Sequence, residues 1–320
     1  MFKNDSRIFI AGVNNITGAA LLRRLKEDGF VNVIDRPRLD LMDEKLVGSF
    51  FEKEKPEYCF LTSVKEGGIE ANIDYPADLI YQNLAVQSNV IHSAYKIKVK
   101  KLIFFASSCI YPKNCPQPMK EEYILTARPE KTNEPYAVAK IAGINMCQAY
   151  NRQYKTNFIS VIPATVYGPN DNFDSKTSHV IPALIGKFHE AKLNKKNEIS
   201  IWGTGKPRRE FIYVDDLVDA SLYLMKKANV PEIINVGTGV DISIYDLAKI
   251  IKRKVDFEGE IILDHSKPDG AMIKLLDSKA LNNLKWKPSI DLLEGIENVY
   301  RWYLKYYGCG QDERGKGKLK

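Results

Sequence analysis

Between Arg7 and Gly168, short apolar runs alternate with stretches of helical period. "RIFIAG" precedes "GAALLRRLKEDG", "VNVID" precedes "EKLVGSFFEKEK", and "YCFLTS" precedes the long helix pattern "PADLIYQNLAVQSNVIHSAYKIK". "KLIFFASS" then precedes "YAVAKIAGINMCQAYNRQY", and "NFISVIPATVYG" closes the series as a last strand. Strands joined through helices run parallel, because an antiparallel pair needs only a tight turn. The strand runs are apolar throughout rather than alternating, so both faces of the sheet must be covered by helices. The pattern predicts an α/β chain built on a doubly wound parallel sheet. After Gly168 it loosens to "PNDNFDSKTSHVIPALIGKFHEAK", a polar loop then a helix, and "EISIWGTGKPRREFIYV", a strand, loop and strand. "DDLVDASLYLMKK" reads as a helix and "EIINVGTG" as a strand, with mixed elements from Ile242 to Tyr307. We expect a nucleotide domain over 1–167 plus about 212–240. A smaller C-terminal α/β substrate domain is expected over 168–211 and 241–308, with 309–320 a disordered tail.

Composition narrows the function classes. At 320 residues the chain has room for one large domain and a smaller one. No apolar run is long enough to span a membrane, and the N-terminus enters a strand with no leader-like segment. A cytoplasmic protein with no membrane partner is the expectation. The cysteines Cys59, Cys109, Cys115, Cys147 and Cys309 are scattered, with no metal-ligand spacing, so reduced thiols and no bound metal are expected. The net charge of +7 suits an anionic small molecule. No basic patch with interleaved aromatics is present, so nucleic acid is not an expected partner.

"AGVNNITGAALL" places a glycine turn between the first strand and helix. In a dinucleotide-binding turn the first glycine makes the bend and the last lets the helix pack close. The middle one lets backbone approach the pyrophosphate, which rests on the helix N-terminus. Gly12 and Gly18 fill the outer roles, and Asn15 stands where the middle glycine belongs. Because Asn tolerates a left-handed backbone best among non-glycine residues, Asn15 is expected at positive φ or in an outward bulge. The second strand ends in Asp35, suited to a ribose diol, but Arg36 and Arg38 follow and suit a 2′-phosphate. NADP is therefore favoured, with NAD left open.

"FFASSCIYPK" puts Ser107 and Ser108 at a strand's end, and "NEPYAVAK" puts Tyr136 and Lys140 one turn apart on a helix face. A lysine cation beside a phenol should lower its pKa and ready it to exchange a proton with a carbonyl. With the glycine turn, this set resembles the extended short-chain dehydrogenase/reductase family, which has a Rossmann-type fold. The resemblance implies hydride transfer with a nicotinamide cofactor, catalysed by Ser107, Tyr136 and Lys140.

Longer blocks are more specific. "SSCIYPK", "TNEPYAVAKIAGINMC", "YNRQY", "YGPNDNF", "SHVIPAL", "WGTGKPRREFIYVDDL", "INVGTG" and "SKPDG" are similar to the GDP-L-fucose synthase family from about Arg7 to Tyr303. That resemblance implies NADPH-dependent 3,5-epimerisation and 4-reduction of GDP-4-keto-6-deoxy-D-mannose in a homodimer. It casts Cys109 as the epimerisation base and His179 as the acid, and places Lys187, Trp202, Arg209 and Asp269 on the GDP-sugar. Cofactor contacts would come from Gly12, Asn14, Asn15, Ile16, Thr17, Gly18, Arg36, Ser107, Ser108, Lys140, Pro163, Ala164, Thr165, Val166 and His179. From the residues themselves, a thiol and an imidazole on opposite faces suit proton exchange beside a ketone. Arg208 and Arg209, beside an apolar strand, suit a pyrophosphate. The chain departs from the family at "GVNN" for the usual Gly-His-Arg-Gly, and at Glu66 in "SVKEGGI" for the usual Val. It departs also at Thr165 for Asn, and at Ala271-Met272-Ile273 for Thr-Pro-Arg. These departures surround ligands, which leaves reduction of another GDP-4-keto sugar, such as a heptose or dideoxy sugar, as the alternative reading. A non-catalytic nucleotide-binding protein on the same fold is the third.

Overall fold

The computed structural model describes residues 2–63, 65–174, 177–267 and 269–307. Its first half runs β1 (Ile8–Ala11), α1 (Ile16–Glu27), β2 (Val33–Asp35), α2 (Glu44–Glu54), β3 (Tyr58–Leu61), α3 (Ile69–Asp74), α4 (Pro76–Lys96), β4 (Lys101–Phe105), α5 (Glu134–Tyr154), β5 (Phe158–Pro163) and β6 (Thr165–Tyr167). The second runs α6 (Val180–Leu193), β7 (Glu198–Trp202), β8 (Arg208–Tyr213), α7 (Val214–Lys226), β9 (Ile233–Val236), β10 (Asp241–Ser243), α8 (Ile244–Val255), β11 (Glu260–Asp264), β12 (Ile273–Lys274), α9 (Lys279–Asn283) and α10 (Leu292–Tyr306). The tail expected to be disordered, 309–320, lies outside the described residues.

Six strands form one parallel sheet in the order β2-β1-β3-β4-β5-β9. Every residue of β1, β3, β4 and β5 is buried, as helices on both faces require. The strand order reverses between β1 and β3, and the crevice at their carboxyl ends is where such sheets bind ligands. The expected last strand is broken into two. Pro163, which has no amide to donate, ends β5 opposite Val236, and a last bond from the Ala164 amide to the Val236 carbonyl at 2.9 Å closes the pairing. The chain leaves the sheet, and β6 pairs instead with β8, Thr165 opposite Phe211. The segment Pro163–Val166 therefore bridges two sheets.

Beyond it, β10, β8 and β12 form a second sheet with β6, and β11 pairs with β7. Apolar side chains gather in two clusters. One centres on the large sheet and takes in Leu217, Ile234, Leu276 and Trp286. The other joins Tyr167, Ile185, Phe188, Leu247, Ile251 and Val299 around α6, α8 and α10. Helix α8 shows how the sequence builds this second cluster. Ser243 caps it through the Asp246 amide, and Leu247, Ala248, Ile251 and Val255 fall on one buried face. Glu210 ties β8 to its neighbours: its buried carboxylate accepts from the amides of Gly239 at 2.7 Å and Leu276 at 2.8 Å. No helix among the described residues is long and apolar enough to cross a membrane.

Candidate active site

The turn after β1 is shaped by backbone. Gly12 takes φ +111°, and a Cβ there would stand 2.4 Å from the Ser63 nitrogen at the end of β3. A Cβ on Gly18 would meet the Gly12 carbonyl oxygen at 1.9 Å, so the glycine lets α1 lie against the turn. Asn15 corrects the expectation. It is not left-handed but extended, at φ −97° and ψ 169°, and is the N-cap of α1. Its Oδ1 accepts from the Gly18 amide at 2.8 Å, and its Nδ2 donates to the Thr62 carbonyl at 2.5 Å. Ala19 donates to the Asn15 carbonyl. The amides of Ile16 and Thr17, which helix geometry leaves without intrahelical acceptors, remain for an anion. The side chain that replaces the middle glycine thus folds inward and caps the helix. Asn14 donates to the Pro37 carbonyl at 3.3 Å.

Beside this turn lies an open cleft of about 320 Å³, walled by Gly12, Asn14, Asn15, Arg36, Met42 and Val86. Walls that mix apolar side chains with Asn14, Asn15 and Arg36, and a helix N-terminus at one end, fit the adenosine and diphosphate of a dinucleotide. Arg36 borders the cleft, its guanidinium 3.3 Å from Glu54 and half exposed.

At the far end of the crevice, Ser107 follows β4 and caps a single 3-10 turn, Ser108–Ile110, by accepting from the Cys109 amide at 3.3 Å. Tyr136 and Lys140 occupy the first turns of α5, and both are buried. The helix comes this close to β4 because position 143 is glycine: a Cβ there would lie 2.5 Å from the Phe104 ring. Burial pushes the Tyr136 phenol well above its ordinary pKa. Glu66 and Cys109 add to that rise, and a hydrogen bond with Ser107 opposes it. The expectation that Lys140 would lower the phenol pKa is not met in this state. The Lys140 ammonium donates instead to the Phe105 carbonyl at 3.1 Å and lies 4.9 Å from the Phe104 ring centre. Burial lowers Lys140 to about 8, with Glu66 opposing. A phenol kept protonated is a proton donor, which is what a carbonyl reduction consumes.

A second group of side chains converges from α6, β7, β8 and the segment after β11. Arg209 is half-buried; Cys109 and Asp269 support its charge against the desolvation that pulls its pKa down. It donates to the carbonyls of Arg208 at 2.8 Å and Ala271 at 2.6 Å, and no carboxylate pairs with it among the described residues. Arg208 does not join it. Its guanidinium is held by Asp241 at 2.8 Å, so of the two arginines expected at a pyrophosphate only Arg209 is available. Asp269 accepts from the amide and hydroxyl of Thr204, at 2.9 and 2.7 Å. That contact sets it beside Gly203 and the exposed Trp202. Lys187 donates to the Ser200 carbonyl on the same strand as Trp202. Through Cys109 the two groups adjoin, since its sulfur acts on both Tyr136 and Arg209.

His179 is the N-cap of α6 and is exposed. No contact joins it to Cys109 among the described residues. Beside it stands a residue that the reading of the motifs passed over. Asp171 is 8% exposed, and burial raises its carboxyl to about 7, with the His179 charge opposing. Its only sequence signal is its place inside "YGPNDNF". The exposed Glu66, a carboxylate foreign to the family pattern, is near enough for its charge to bear on Asp171, Tyr136 and Lys140 alike.

The profile of the NAD dependent epimerase/dehydratase family matches residues 8–237. A GDP-L-fucose synthase of Arabidopsis thaliana is 50% identical over 307 residues, 95% of either chain. The GDP-L-fucose synthase of Escherichia coli is 46% identical over 313 residues, 94% of this chain and 98% of that one. Among solved structures, a GDP-mannoheptose C4 reductase from Campylobacter jejuni with NADP bound superposes with a TM-score of 0.86 at 41% identity, covering 95% and 99% of the two chains. With a family match over most of its length and relatives this similar over nearly all of it, the chain belongs to the NAD dependent epimerase/dehydratase family, in the company of the GDP-L-fucose synthases.

Proposed function

We propose that the chain is an NADPH-dependent 3,5-epimerase and 4-reductase that converts GDP-4-keto-6-deoxy-D-mannose to GDP-L-fucose. The observation that carries this reading is the continuity of Ser107, Tyr136, Cys109 and Arg209: a reductase hydroxyl pair, a thiol and a phosphate-binding cation in one cluster. The first apolar cluster carries the cofactor and the second the GDP-sugar. The turn fits the cofactor, because Gly12, at φ +111°, lets it close against Ser63 and the Ile16 and Thr17 amides face no intrahelical acceptor. NADPH, when bound, supplies hydride to the C4 carbonyl.

The chain's residues do the rest. Arg209 binds the diphosphate, and Asp269 with Trp202 orients the sugar and base. The C4 ketone acidifies the protons at C3 and C5. Cys109 Sγ takes each proton on one face, and the His179 imidazolium returns one on the other. The thiol and the neutral imidazole then reset by exchange with water. Tyr136 gives its phenolic proton to the C4 oxygen as the carbonyl is reduced, with Ser107 bonded to the same oxygen. The four described cysteines are all free, in keeping with a reducing cytoplasm. We also infer a homodimer through α4 and α5, on which Tyr81, Val138 and Tyr154 are exposed.

Incubation with GDP-4-keto-6-deoxy-D-mannose and NADPH in D2O tests the assignment. NADPH consumption with deuterium at C3 and C5 is expected, and no consumption at high enzyme concentration rules it out. A second reading, reduction of a GDP-4-keto heptose with or without epimerisation, is favoured by Met272 and Ile273. Both are exposed beside Arg209, where the family carries Pro-Arg. A kcat/KM higher for the heptose than for the 6-deoxy sugar would select it.

A further inference from the structure

Asn235 is a buried polar side chain that the mechanism leaves unused. It lies near the end of β9, at the carboxyl edge of the large sheet, and is fully buried. Its Oδ1 accepts from the hydroxyl of Tyr111, itself buried, at 2.6 Å. Its Nδ2 donates to the carbonyls of Met119 at 2.9 Å and Asp277 at 3.1 Å. Its main-chain amide donates to the Glu121 carboxylate at 2.9 Å. A buried amide is costly unless its bonds are made, and one with all of them made fixes the segments it joins.

Those segments belong to different parts of the site. Tyr111 closes the 3-10 turn that carries Cys109: its amide donates to the Ser108 carbonyl at 3.4 Å, and the Ile110 amide to the Ser107 carbonyl at 3.2 Å. Asp277 ends the stretch that begins at Asp269 and passes Ala271, whose carbonyl holds Arg209 at 2.6 Å. Two more bonds tie that stretch to the chain beyond the turn. Met119 donates to the Leu275 carbonyl at 2.7 Å, and the Leu275 amide donates to Gln117 Oε1 at 2.9 Å. Of these ties, the Tyr111 hydroxyl alone reaches back to the turn itself. We propose that Tyr111 is a positioning residue for Cys109, its bond to Asn235 setting the thiol turn in register with the stretch that steadies Arg209. A sugar gripped through its diphosphate then meets Cys109 and Ser107 at the right distance, which proton transfer demands. The inference rests on the reading above that Arg209 takes the diphosphate and Cys109 the sugar protons.

Tyr111→Phe removes one hydroxyl and keeps the ring. With GDP-4-keto-6-deoxy-D-mannose in D2O, kcat for deuterium uptake should fall by about ten-fold or more, while KM for the sugar and Kd for GDP and NADPH stay within about two-fold. A merely structural defect would weaken ligand binding along with turnover. Gln117→Met, at an exposed position, cuts another tie between the same segments with less risk to the fold and should lower kcat by about three-fold in the same manner. Hydrogen exchange gives a readout that needs no turnover. The amides of Cys109, Ile110 and Tyr111 are all donated within the turn, and Tyr111→Phe should speed their exchange by about five-fold or more while the amides of α4 keep their native rates. Native exchange of the turn amides in Tyr111→Phe overturns the proposal, as does a native kcat or an equal loss of kcat and ligand affinity. If Tyr111→Phe does not fold, a native kcat in Gln117→Met overturns it. Absence of GDP binding to the native chain refutes the GDP-sugar reading instead, and the exchange of the turn amides still decides whether Tyr111 holds the turn.

Discussion

The cofactor turn and the sugar-facing cluster are built differently. At the turn the binding groups are main-chain amides and absent Cβ atoms, all within Gly12–Gly18 and the end of β3. At the sugar side they are side chains brought from β4, α5, β8 and the segment after β11, each held by one or two hydrogen bonds. A backbone site tolerates a changed side chain if the chain path is kept, as Asn15 shows by becoming a helix cap. A side-chain site changes with each substitution, and the departures at Glu66 and Ala271–Ile273 fall there.

Substitutions in the two regions should therefore differ in kind. Tyr136→Phe removes the proposed proton donor and should cut NADPH oxidation by about 10²–10⁴-fold without loss of fold. In the native enzyme the same rate should fall as pH rises through about 8. There the buried Lys140, whose pKa burial has lowered, gives up the charge it holds at lower pH. Arg209→Met should raise KM for the GDP-sugar by about ten-fold or more and leave cofactor affinity unchanged, since a hydrogen bond to a charged group contributes about 1.5–3 kcal/mol. Gly12→Ala should do the reverse, weakening NADPH in a titration and destabilising the fold by about 1–3 kcal/mol in urea melts. The smallest effect belongs to Asn15→Ala, about 1 kcal/mol of stability from the lost cap. An Arg209 variant that loses NADPH affinity, or a Gly12 variant that spares it, breaks the distinction between the two regions.

The same difference explains what could be read in advance. The parallel sheet was legible because its signal is local and repeated: apolar runs, helix patterns, a glycine turn. Tyr136 and Lys140 were legible because one helical turn sets their relation, and Ser107 because it ends a strand. The conformation of Asn15 was not, since residue preference suggests a left-handed turn while the acceptor that decided against it, Thr62, lies just past β3, distant in sequence. The pairing of Arg208 with Asp241 and the burial of Asp171 likewise depend on segments distant in sequence. The phenol of Tyr136 was expected to respond to its neighbour Lys140, yet burial, which no spacing reveals, governs it.

The account's central claim is that one pocket holds two separable chemistries, proton exchange by Cys109 with His179 and reduction through Tyr136. The most direct measurement follows Tyr136→Phe with GDP-4-keto-6-deoxy-D-mannose and NADPH in D2O, reading NADPH absorbance and sugar deuteration together. The account predicts deuterium at C3 and C5 with almost no NADPH oxidised. Undiminished NADPH oxidation, or loss of deuteration along with reduction in a folded variant, would contradict it.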